Sequence, residues 1–195
     1  VSDNNLLTIL FFGDIVGRPG RKAIAAALPD MKQKYQPDIT MANAENIAHG
    51  IGITQKTLAE CQQAGIDFFT GGNHILKKPA AAELLDNPDI PLIRPANYEA
   101  PTPGLGWKKI SAGKKPLCVL NLNGQVFMEQ GFSNPFAAFD EIYAQLQPDE
   151  CAGIIVDFHA EATSEKIAFG WHVDSRVSAV LGTHTHIPTA DERVL

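Results

Sequence analysis

Leu6-Leu-Thr-Ile-Leu-Phe-Phe12 runs straight into Gly13-Asp14-Ile15-Val16-Gly17-Arg18-Pro19-Gly20-Arg21. The first stretch is a continuous apolar run rich in β-forming residues, the pattern of a strand buried on both faces. The second ends it with glycines and one carboxylate. Lys22 to Lys34 then reads as a helix, with Ala23, Ile24, Ala27, Leu28 and Met31 on one face and Pro29 expected to bend or interrupt it. The same order recurs along the chain. Asp38 to Ala42 is a strand, Thr54 to Ala64 a helix with Thr54 as N-cap, and Ile66 to Thr70 a strand closed by glycines. Later, Pro116 to Leu122, Ala152 to Phe158 and Arg176 to Leu181 read as strands, with helices over Asn134 to Gln147 and Ala160 to Phe169. Asn87 to Gly113 is proline-rich and irregular, with room for two short strands. Alternating strand and helix predicts an α/β fold built round a mostly parallel sheet. No repeat or linker divides the chain, so residues 1–195 are read as a single domain.

Composition narrows the function. The chain has 195 residues, 45% of them apolar, and can bury a core without staples. Sixteen basic against 22 acidic residues give a net charge of -6. That excludes a binder working through a broad basic nucleic-acid surface. It leaves open an enzyme that takes a nucleotide at a local cationic site, a charge that metal ions could supply. Val1-Ser-Asp-Asn-Asn5 lacks the basic start of a signal peptide, and no apolar run is long enough to cross a bilayer. Cys61, Cys118 and Cys151 form no CxxC pair and read as buried free thiols. Together these features predict a cytoplasmic protein with no membrane partner.

The informative fact is where the polar residues fall. Asp14 follows the first strand. Asn43, Glu45 and Asn46 follow the second, and Asn73 and His74 the third. His159 follows the strand ending at Phe158, and His184 and His186 follow the last. In open α/β sheets, ligand sites form at the carboxyl ends of strands. Any one of these residues could cap a helix or close a turn. Five segments delivering Asp, Glu, Asn and His to one edge are harder to explain that way. Glu45 sits in the apolar stretch Met41-Ala-Asn-Ala-Glu-Asn-Ile47, where a carboxylate needs a partner. His184 and His186, two apart in extended chain, would point to the same side. The set suits a two-metal site. Imidazole, amide and carboxylate donors fit Mn, Fe or Zn better than Ca or Mg.

Five motifs occur in order: Gly13-Asp14-Ile15-Val16-Gly17, Asn43-Ala-Glu45-Asn46, Gly72-Asn73-His74, Asp157-Phe-His159-Ala-Glu161-Ala-Thr163-Ser-Glu165-Lys166 and Gly182-Thr-His184-Thr-His186. Together they resemble the YmdB-like branch of the calcineurin-type metallophosphoesterases, from about Leu7 to Asp191. The resemblance implies two facing β-sheets flanked by helices, a four-layer α/β/β/α sandwich, with a dinuclear centre at the strand ends. It implies two divalent transition-metal ions and phosphodiester hydrolysis by a hydroxide bridging them. The implied substrate is a small nucleotide, such as 2',3'-cAMP or 3',5'-cAMP, or a related diester. Carried over by position, Asp14 and His186 hold one ion with Asn46, Glu45 bridges both, and Asn73, His159 and His184 hold the other. His74 matches the catalytic histidine that faces the leaving group or a phosphoryl oxygen. Asn43 matches no catalytic position.

Two departures stand out. After His74 the branch continues with Trp-Asp and then Lys-Glu, whereas here the chain reads Ile75-Leu76-Lys77-Lys78-Pro79. The chain also stops at Leu195, where relatives run on for several strands. The expectation is a domain lacking its C-terminal strands, with an exposed sheet edge that invites self-association into a homo-oligomer. Three rival readings have less support. A catalytically weak, metal-binding regulatory protein of the same fold fits the altered segment after His74. A phosphate loop over Gly13 to Gly20 lacks the required glycine spacing and a Walker lysine. An amidohydrolase would start from a His-x-His on its first strand. No nucleophile-elbow motif surrounds Ser164 or Ser178.

Overall fold

The computed structural model describes residues 6–99, 101–112 and 115–195; Val1–Asn5 and Gly113, which enter the sequence reading, lie outside them. The first three strands, β1 (Ile9–Asp14), β2 (Ile39–Asn43) and β3 (Phe68–Thr70), form a parallel sheet in that order. The second sheet has the order β4-β5-β6-β7, built from Trp107–Ile110, Leu117–Asn123, Gly153–His159 and Ala179–Thr183. Only β4 runs antiparallel to its neighbour.

The period-two alternation of these strands decides the layers. Ile39 and Met41 of β2 face Leu117 and Val119 of β5 and Ile155 of β6, which forms the core between the sheets. The alternate residues face outward. Ala42 and Phe69 pack against Leu28 of α1 (Gly17–Tyr35), Leu58 of α2 (Gln55–Ala64) and Leu84 of α3 (Ala81–Asp86). On the far side, Leu120, Leu122, Val156 and Phe158 meet Phe139 of α4 (Pro135–Tyr143) and Phe169 of α5 (Thr163–His172). Phe158 stacks on Phe169 with ring centroids 4.3 Å apart. The expected helix–sheet–sheet–helix sandwich is therefore present. Among the described residues, no helix is long and apolar enough to cross a membrane.

Several boundaries differ from the sequence reading, for local reasons. α1 starts at Gly17 rather than Lys22, because Pro19 is tolerated in a first turn, where its missing N–H would be unpaired anyway. It also runs through Pro29 without interruption. Thr54 caps α2 as expected, in a reciprocal box with Thr57. The short helix α3 was not anticipated, since six residues give too little periodicity to see. Cys118 and Cys151 correct the reading of three free thiols. Their Cα atoms are 6.2 Å apart and their sulfurs meet, so the two are paired. Only Cys61, a buried residue of α2, stands alone among the described cysteines.

Candidate metal centre

Parallel register brings the polar strand ends to one edge. Asp14 pairs with Asn43 across β1 and β2, and Asn43 with Thr70 across β2 and β3. His159 pairs with Thr183 across β6 and β7. A bulge between Phe12 and Asp14 leaves Gly13 out of the ladder and re-aims the Asp14 carboxylate. The two sheets are tied at this edge. His184 N donates to Asp14 Oδ2 at 2.8 Å.

All seven predicted donors come together. Glu45 is at the centre, fully buried. Its Oε1 lies 3.3 Å from His159 Nε2 on one side and accepts from Asn46 Nδ2 at 2.9 Å on the other. On the first side, His159 Nε2 is 3.1 Å from Asn73 Oδ1 and 3.1 Å from His184 Nδ1. On the second, His186 Nε2 is 3.4 Å from Asp14 Oδ1 and 3.5 Å from Asn46 Nδ2. Asn46 turns its oxygen toward His74 Nδ1 at 3.0 Å, so holding an ion through that oxygen requires the amide to turn over.

One local expectation is corrected. His184 and His186 do not lie in extended chain. They follow the end of β7, with φ of 90° and 55°. Left-handed backbone at two non-glycine residues is costly and typically marks a functional site. Here the reversals fold both imidazoles back onto the strand ends.

The donor chemistry fits divalent cations. Ligand atoms of Glu45, His159 and His184 all lie within 4.8 Å of one another. Burial penalises a charged His159 ring, but Glu45, Asp14 and Asp157 outweigh it and draw the ring toward protonation. Burial and the neighbouring His159 hold His184 down. The cluster thus calls for positive charge at one point. Burial alone would raise the Glu45 carboxyl, yet hydrogen bonds from His159 and His74 keep it far below the usual carboxylate range. Space is provided by Gly72, where a Cβ would overlap Glu45 Oε2 and His159 Nε2.

His74 sits beside this cluster, partly exposed. Its backbone N–H donates to Glu45 Oε2 at 2.8 Å, and its Nδ1 is 3.2 Å from Glu45 Oε1. The bond to Glu45 raises its pKa against the effect of partial burial. With Nδ1 engaged, Nε2 is the atom left for a substrate. In the altered segment that follows, Ile75 is buried against Gly71 and Lys77 pairs with Glu129 at 3.0 Å.

Three residues that the sequence reading gave no role, Asp157, Asn43 and Glu161, lie against the cluster. Asp157 is fully buried and accepts from Thr70, Asn43 and Thr183. Burial pushes its pKa up to about 6 against the charge of His159 and these three bonds. Asn43, buried beside it, also donates to Gly71 O and accepts from Glu45 N, which fixes the turn that carries Glu45. Glu161 Oε2 lies 3.0 Å from His184 Nε2. The signal for Asp157 was its position as a lone carboxylate inside Ile154-Ile-Val-Asp-Phe158.

Comparison with known proteins places this geometry. Residues 10–195 match the family described as YmdB-like protein.

The chain belongs to the YmdB-like family.

It is 46% identical over 190 residues to the 2',3'-cyclic-nucleotide 2'-phosphodiesterase of Bacillus subtilis, covering 97% of this chain and 70% of that enzyme. Among solved structures, a hypothetical protein from Thermus thermophilus matches with a TM-score of 0.87 and 38% identity, over 95% of this chain and 70% of that one. A novel phosphatase from Mycoplasma pneumoniae matches with a TM-score of 0.89 and 35% identity, over 97% and 68%. This YmdB-like protein is thus a hydrolytic phosphoesterase, and its family together with the Glu45, His159 and His184 cluster suggests divalent metal ions.

Proposed function

We propose that this YmdB-like protein is a metal-dependent phosphodiesterase acting on a cyclic nucleotide or a related small nucleotide diester, with residues 1–195 serving as one catalytic domain. The observation that carries the reading is the position of Glu45. Its buried carboxylate has Asn73, His159 and His184 on one side and Asp14, Asn46 and His186 on the other. Those two sets would each hold one ion, with Glu45 shared. Bound divalent ions would supply Lewis-acid charge to the phosphoryl oxygens and activate water as the nucleophile.

The remaining work falls to the protein. Glu45 orients the His74 ring through Nδ1 and leaves Nε2 toward the substrate side. From there His74 delivers a proton to the departing alkoxide or bonds to a phosphoryl oxygen. Asp14 ties β1 to the loop after β7 and keeps the two donor sets in register. The Bacillus subtilis relative's name supports a 2',3'-cyclic nucleotide as first substrate to try.

The test is elemental analysis of the purified chain after loading with Mn, Fe or Zn, beside assays on phosphomonoesters and phosphodiesters. Two ions per chain with diester hydrolysis is the expected result. Two ions with no turnover on any ester would favour the regulatory metal-binding reading, which the altered segment Ile75–Pro79 motivates.

A further inference from the structure

Two of the histidines make unlike use of their ring nitrogens. His159 presents Nε2 to the cluster, and His184 presents Nδ1; the two atoms are 3.1 Å apart. A cation between these atoms needs both rings neutral with lone pairs turned inward, which requires each ring to carry its proton on the outer nitrogen. The outer partners decide that.

For His159 the outer partner is Thr183 Oγ1, 2.9 Å from Nδ1. A hydroxyl has one proton to give. Thr183 Oγ1 lies 2.6 Å from Asp157 Oδ1, and a carboxylate oxygen accepts. The Thr183 proton therefore goes to Asp157, and Thr183 must accept from His159. Asn43 does not compete, because its two amide protons go to Gly71 O at 2.8 Å and Asp157 Oδ2 at 3.0 Å. Thr70 Oγ1 donates to the same Oδ2 at 2.5 Å. Asp157 is thus oriented by three elements: β2, β3 and β7. For His184 the outer partner is Glu161, whose Oε2 is 3.0 Å from Nε2. A carboxylate there places the proton on Nε2 and leaves Nδ1 bare.

We propose that Asp157, acting through Thr183, and Glu161 are positioning residues that set opposite ring tautomers on His159 and His184, so that Nε2 of the first and Nδ1 of the second both offer lone pairs to one shared cation. The proposal rests on the metal-centre reading above. It assigns work to three residues outside the ligand set, and it explains why a lone carboxylate is buried in β6. Outer partners of metal-binding histidines commonly hold ring orientation and basicity, and their loss typically weakens binding roughly 10–100-fold.

The experiment uses the full chain, ¹⁵N-labelled and titrated with Zn(II) alone. Long-range ¹H–¹⁵N spectra of the imidazoles report which nitrogen carries hydrogen and which carries metal. In the wild type the expected result is hydrogen on Nδ1 and zinc on Nε2 for His159, with the reverse for His184. Zn(II) affinity, measured by competition with a chromophoric chelator, should fall roughly 10–100-fold in Thr183→Val and in Glu161→Ala. It should stay near the wild-type value in Thr183→Ser and Glu161→Gln, which keep an acceptor in place. Thr183 is buried, so Glu161, whose side chain is half-exposed, keeps the test decisive if the Thr183→Val chain does not fold. Zinc bound at both rings with the opposite tautomers, or with unchanged affinity in Thr183→Val and Glu161→Ala, overturns the positioning role alone. Failure of zinc to shift either ring in the wild type overturns the metal-centre reading and the proposal with it.

Discussion

Glu45 Oε1 lies 3.3 Å from His159 Nε2, and this contact joins the loop after β2 in one sheet to the end of β6 in the other. Neither side chain reaches water. A buried carboxylate facing buried imidazole is the point from which both donor sets spread.

Glu45→Gln should weaken both ions together. The substitution removes the charge and leaves an amide nitrogen or oxygen where both sets now meet a carboxylate. Elemental analysis after Mn loading should fall from two ions toward none. Loss of one ion with full retention of the other would show that Glu45 belongs to a single set.

His74→Ala should keep both ions and lose turnover, by roughly 10²–10⁴-fold if the ring acts as an acid. Aryl leaving groups depart without a proton, whereas a ribose oxygen needs one. The loss should therefore be much larger for a cyclic nucleotide than for an aryl diester, as measured by kcat on each. Equal losses would mean that His74 acts on a phosphoryl oxygen instead.

Gly72→Ala should abolish metal binding while the chain still folds. The added methyl group would overlap Glu45 Oε2 and His159 Nε2, at a turn where backbone conformation does not demand glycine. The expected pattern is an unchanged far-UV spectrum with metal content near zero. A variant that still takes up two ions would show that the space beside Gly72 is not the ion's.

Cys61 gives a pH prediction away from the site. Burial pushes its thiol up to about 11, with Arg21 opposing and Glu60 adding slightly. The native chain therefore keeps a proton that the unfolded chain releases above its ordinary value near 9. Bound protons are then more numerous in the native state, so stability falls as pH rises from about 9 to 11. Urea midpoints at pH 8 and pH 11 should show a decline that Cys61→Ala lacks in part, by about 2 kcal/mol. Equal declines in both proteins would refute the assignment to this thiol.

Much of the layout was legible in the sequence because it is local. Continuous apolar runs marked the buried strands, and glycines marked their ends. Asp14, Glu45, Asn73 and His159 announced themselves as polar residues at those ends. Period alone could order neither sheet, since strand pairing depends on contacts far apart in the chain. The division into two sheets came from the resemblance, not from periodicity.

The conformation of Gly182-Thr-His184-Thr-His186 was beyond the sequence for a different reason. An i, i+2 pair reads as extended chain, and only the closure of β7 against Asp14 makes left-handed backbone at His184 and His186 worth its cost. The pairing of Cys118 with Cys151 likewise depends on where the turn before β6 folds back on β5.

What the sequence determined by itself was therefore the kind of fold and the donor types gathered at the strand ends, because strand ends and residue types are local properties. What only the tertiary structure decided was the support beneath those donors. Asp157, Thr183, Asn43 and Glu161 acquire their roles from hydrogen bonds that cross between strands and sheets. A hydrogen bond exists only within about 3 Å, and no spacing along the chain reveals which distant donors and acceptors folding will bring that close.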